Sequence, residues 1–111
     1  MSQRIETLLW FAQRASAMVL APLVLLHLAT IVYAVHQGLS AAAILGRTRG
    51  NVAWLLVYGL FVAAVAVHAP IGLRSVIREM TPWRGRSVDL FAAGIAVLLV
   101  VLGWRAVAGL Y

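Results

Sequence analysis

Three unbroken apolar runs dominate this chain of 111 residues, from about Leu8 to Val35, from about Val52 to Ile77 and from about Val88 to Leu110. Each exceeds the ~20 residues that an α-helix needs to cross the hydrocarbon core of a bilayer. Lipid offers backbone groups no hydrogen-bond partner, so a run of this kind must satisfy them internally as helix. The expected architecture is therefore all-α and integral to a membrane: one domain over residues 1–111, with three transmembrane helices at about 8–35, 52–77 and 88–110, running up-down-up. The opening run is too long for the apolar core of a signal peptide and lacks a small-residue cleavage site, so it is expected to remain as the first span. With 64% hydrophobic and only 11% charged residues, the chain cannot cover itself with polar surface, and lipid or other subunits must do so.

Both connections are short, which makes consecutive helices antiparallel neighbours. The first, residues 36–50, is punctuated by glycines and holds a run able to lie as a surface helix. The second, residues 79–87, is broken by Pro82 and Gly85, with Ser87 placed to cap the third span. Three spans put the amino terminus and the second connection on one side. That side carries Arg4, Arg14, Arg74, Arg78, Arg84 and Arg86 against Arg47, Arg49 and Arg105 on the other, and the excess marks it as cytoplasmic. Trp10, Phe11 and Trp83 then belong to the inner interface, and Tyr33, Trp54, Trp104 and Tyr111 to the outer one. Nine arginines placed at the ends of apolar runs anchor helices instead of forming a phosphate-tracking patch, so nucleic acid is excluded as a partner. The absence of cysteine removes disulfides, thiolate metal sites and iron–sulfur ligands.

Ionisable groups within a span are costly and are functional candidates by default. His68 lies inside the second span. Ala64 and Gly72, four residues to either side, share its helix face and predict a shallow trough beside the imidazole that suits a flat macrocycle. The competing reading, a hydrogen bond from His68 to a neighbouring helix with the small residues allowing close packing, stands level with it. Pro70 frees the carbonyl of Ala66 nearby. His27 in the first span has bulkier flanks, Leu23 and Ile31, which favour an interhelical hydrogen bond over ligation. Ser16 lies eleven residues before it on a face shared with Leu20 and Ala34 that looks inward; its hydroxyl is expected to return to its own i−4 carbonyl. Arg14 and Arg74 either anchor to headgroups or flank a slot for a quinone, donating to its carbonyl oxygens. Glu79 is expected to pair with Arg78 or Arg74 if with anything in this chain. Asp89 is accounted for by the dipole of the third span, in whose first turn it sits.

Two segments carry a resemblance. Arg14-Ala15-Ser16-Ala17 followed by an apolar run to His27 resembles the first-helix pattern of the membrane anchor subunits of succinate dehydrogenase and fumarate reductase, Arg-x-Ser/Thr-Gly/Ala with a histidine eleven residues after the hydroxyl. The run from His68 through Gly72 and Arg74 to Glu79 is similar to the second-helix signature of the same family. Ala17, Glu79 and Met80 depart from the commoner glycine, aspartate and tyrosine. The resemblance implies a cytochrome b anchor of a succinate:quinone oxidoreductase in a bacterial inner membrane, with no catalytic residue for succinate oxidation in this chain. It implies haem b held by His68 as an axial ligand, with His27 as a second ligand, paired either with His68 or with a histidine of a second anchor subunit. Ala64 and Gly72 would line the haem pocket, and Arg14, Ser16 and Arg74 would belong to the quinone site. FAD and the iron–sulfur clusters would reside in a flavoprotein subunit and an iron–sulfur subunit. A small proton-relay or transport subunit, or a purely structural assembly subunit, are the alternatives that the residues by themselves leave open.

Overall fold

A computed structural model of the chain describes residues 2–111, and its secondary structure is helical throughout. α1 covers Gln3–Gln37, α2 Ala41–Thr48, α3 Val52–Met80 and α4 Arg86–Leu110. α1, α3 and α4 are each long and apolar enough to span a membrane, and the principal extents of 48 × 24 × 22 Å make a bundle taller than the ~30 Å hydrocarbon core. The helices extend past the apolar runs because polar side chains cap them. Ser2 accepts from the N–H of Ile5, Ser40 from that of Ala43, and Asn51 from that of Trp54. Gly38 ends α1 at a φ of +112°, a conformation that a side chain disfavours.

α4 does not start where a cap at Ser87 would put it. Gly85, at a φ of +90°, turns the chain early, so α4 begins at Arg86 without a side-chain cap and Ser87 already lies in its first turn. The Ser87 hydroxyl accepts instead from Trp83 Nε1 at 2.6 Å. The expected surface helix between the first two spans is α2.

α3 is the hub, packed by α1 on one side and, more extensively, by α4 on the other. Small residues set the spacing. A Cβ on Gly103 would come within 2.5 Å of Val62 Cγ1, and one on Gly72 within 3.1 Å of Gln13 Nε2, so both glycines make room for a side chain of the neighbouring helix. At the end away from the amino terminus, Thr48 Oγ1 donates to the carbonyl of Leu110 at 2.8 Å, and the Gly50 N–H donates to that of Tyr111 at 3.0 Å, so the α2–α3 turn holds the last turn of α4. The buried set is thin: Leu20, Ala64, Ala66, Val88, Ala92 and Val107, with Ser16, Thr48 and Arg74 as its polar members. Most large apolar side chains point outward, as they do in a protein whose solvent is lipid.

Candidate functional site

His68 and Ser16 meet between α3 and α1. Ser16 is buried, and its Oγ lies 3.3 Å from His68 Nδ1 and 3.0 Å from the backbone carbonyl of Gln13. The local bond thus goes to i−3 instead of i−4, and it is not the hydroxyl's only one, because α1 and α3 are close enough here for a second partner. A hydroxyl has a single hydrogen. Directed at the Gln13 carbonyl, it leaves the oxygen to accept from His68 Nδ1–H, and Nε2 then keeps the free lone pair. Nε2 makes no hydrogen bond among the described residues, and His68 is only half-buried. The imidazole is thereby oriented through one nitrogen and left able to bind through the other.

The trough expected beside His68 is occupied at one end. Ala64 is buried, and Gly72 is backed by the Gln13 side chain, so both small residues serve the α1–α3 contact. The hydrogen bond to a neighbouring helix and the close packing therefore coexist with a free ligand nitrogen; they occupy different edges of the ring. Gln13 Oε1 is buried in the same corner without a hydrogen-bond partner among the described residues. An amide oxygen left in this way can accept from a donor brought by water or a bound group, or be satisfied by a flip of the amide.

His27 stands elsewhere. The face shared by Ser16, Leu20, His27 and Ala34 is buried only at Ser16 and Leu20; His27 is exposed, its ring 5.1 Å from that of Phe61 and 6.3 Å from that of Tyr58. Ser16 marks the level of His68 on α1, and His27 lies eleven residues farther along, about 16 Å at 1.5 Å per residue. The two imidazoles accordingly stand at different levels of the bundle and do not converge on one point. No group of three or more histidine, aspartate or glutamate side chains that could hold a bare metal ion occurs among the described residues.

The arginines separate as well. Arg74 is 7% exposed. Its guanidinium donates to Glu6 through Nη2 at 2.7 Å and Nη1 at 3.4 Å, and to Asp89 through Nε at 2.7 Å, while Arg78 Nη1 reaches Glu6 at 3.2 Å. Two cations and two carboxylates neutralise one another and clasp the ends of α1, α3 and α4. Asp89 therefore has an ion-pair partner beyond the helix dipole. Glu79, expected to pair with Arg78 or Arg74, is exposed and in no ion pair among the described residues. It lies on the same helix but turned away, whereas Glu6 arrives from the first turns of α1, 68 residues distant in sequence. Arg74 and Asp89 also close one end of an apolar slot of about 300 Å³ walled by Leu9, Pro70 and the alanines of α4. Arg14 is exposed and lies over the Trp10 ring, 4.9 Å from its centroid, and it lines none of the cavities described. Of the two arginines, Arg74 lines this slot and Arg14 does not.

Sequence reasoning missed Glu6 as the partner of Arg74 and did not single out Gln13. Glu6 is the lone acid ahead of the first apolar run, which was a signal available to be read; the orphaned Gln13 oxygen had none. Comparison with known proteins gives one match. A sequence model of the succinate dehydrogenase/fumarate reductase transmembrane subunit matches residues 1–103. No curated protein and no solved structure matches the chain.

Proposed function

Because the chain belongs to the succinate dehydrogenase/fumarate reductase transmembrane subunit family, we propose that His68 provides an axial ligand to haem b in the membrane anchor of a succinate:quinone oxidoreductase. The observation that carries this reading is the Ser16–His68 contact, which engages Nδ1 and leaves Nε2 without a hydrogen bond among the described residues on a half-buried ring. The donor set fits a haem shared between subunits: one neutral imidazole here, the other axial ligand from a second anchor chain. Haem b bound there would supply a one-electron couple between the iron–sulfur subunit and quinone. Ser16 orients the ligand and enriches it in electron density, and Gly72 lets α1 approach α3 beside it, with the Gln13 side chain filling the space. His27, exposed about 16 Å farther along α1, is a candidate ligand only for a separate group.

For the quinone, Arg14 is the available donor, since its guanidinium lies over the Trp10 ring and is in no ion pair among the described residues. Arg74, engaged by Glu6 and Asp89, shapes and charges the end of the apolar slot and holds the helices that carry Arg14 and His68 in register. Ser16 is shared with His68. The flavoprotein and iron–sulfur subunits, which hold FAD and the clusters, dock on the side of the amino terminus and the α3–α4 loop, the cytoplasmic face of a bacterial inner membrane by the arginine asymmetry.

The test is the absorbance spectrum of the purified complex. A dithionite-reducible, low-spin b-type spectrum is expected, and His68→Ala removes it or shifts it strongly while the subunits still copurify. A complex with His68→Ala whose spectrum matches the parent's rules out this ligand.

A further inference from the structure

At the end of the bundle opposite the amino terminus, a cavity of about 560 Å³ opens between the second half of α1, α2, the start of α3 and Leu110 of α4. α2 lies across its mouth and contributes Arg47, whose guanidinium carbon is 5.1 Å from the centroid of the Tyr33 ring. Trp54 and Tyr58, stacked at 5.5 Å, form one wall, and His27 is at the inner end. Ala34 and Ile44 make the lining largely apolar. The volume is that of a ligand site.

Charge decides what fits. The acids Glu6, Glu79 and Asp89 all belong to the opposite end of the bundle, while this end carries Arg47, Arg49 and Arg105. Arg47 forms no ion pair among the described residues. A cation at an interface, above an apolar cavity and with no acidic side chain at its end of the bundle, suits an anionic headgroup with a hydrocarbon tail. We infer that the cavity is a binding site for one anionic phospholipid, its phosphate on Arg47 and the upper part of an acyl chain between α1 and the Trp54–Tyr58 wall. The rings of His27 and Tyr58, which have no hydrogen bond among the described residues, are donors for the glycerol ester carbonyls below the phosphate. The site stands about 16 Å from the level of His68 and does not depend on haem ligation there.

The experiment reconstitutes the intact complex in nanodiscs of phosphatidylcholine with and without phosphatidylglycerol, releases it into detergent, and counts retained lipids by native mass spectrometry. Phosphatidylglycerol should be retained in preference to phosphatidylcholine. Arg47→Gln should lower that retention about tenfold or more, as loss of a charge-assisted contact does, whereas Arg47→Lys should keep most of it. Arg105→Gln, which changes a cation of the same end outside the cavity, should have no effect. Ala34→Phe, which fills the cavity, should displace the lipid with Arg47 intact. Circular dichroism on each variant establishes that it is folded. Equal retention of the two lipids by the parent complex, unchanged retention in Arg47→Gln, or retention of quinone in place of lipid would each overturn the assignment.

Discussion

Arg74 is the most buried charge in the described chain, and its environment permits a test in which removing the cation should hurt less than removing its partners. Glu6 supplies two contacts to it and Asp89 one, with side-chain exposures of 39% and 29% against 8% for Arg74. A hydrogen bond to a charged group is worth about 1.5–3 kcal/mol when shielded, and the partial exposure of both carboxylates reduces this, so Glu6→Ala or Asp89→Ala alone should cost about 1–2 kcal/mol. Together they leave a guanidinium buried with no counter-charge, and the cost should rise to about 3–5 kcal/mol. Arg74→Met removes the buried charge and keeps its volume. Glu6 still has Arg78 at 3.2 Å, and Asp89 still has the α4 dipole and water, so this single change should cost no more than about 1 kcal/mol. Adding Arg74→Met to the double carboxylate variant should recover most of what was lost. Reversible unfolding in mixed micelles at low salt measures all of these. An Arg74→Met variant as unstable as the Glu6→Ala/Asp89→Ala pair, or a triple variant no better than the double, would refute the assignment of the cost to an uncompensated buried charge.

Two further outcomes concern the proposed redox role. Ser16→Ala should leave a b-type spectrum but weaken haem retention by about 10–100-fold and raise the midpoint potential, because the ligand loses the acceptor of its Nδ1–H; Ser16→Thr should restore both, and an unshifted potential would remove Ser16 from the site. Arg14→Ala should lower quinone reduction while dye-linked succinate oxidation and haem content persist; equal loss of all three would make Arg14 an assembly residue.

The sequence alone determined the parts that depend on local length and polarity. Three runs long enough to cross a bilayer had to be helices, α2 followed from the glycine-bounded segment between two of them, and the family could be read from Arg14, Ser16, His27, His68, Gly72 and Arg74 at their spacings. Helical periodicity says which residues of one helix share a face. It says nothing of how far a second helix is rotated or slid against the first, and the differences at the candidate site lay there, while the early start of α4 at Gly85 was a local one. Tertiary structure alone decided that Arg74 answers to Glu6 and Asp89 instead of Glu79, that Ser16 reaches His68, that Gln13 fills the space Gly72 leaves, and that His27 stands far from His68 beside a different cavity. These are contacts between residues up to 68 positions apart, set by small side chains that let helices approach, and apolar runs of similar hydropathy would have permitted many other registers.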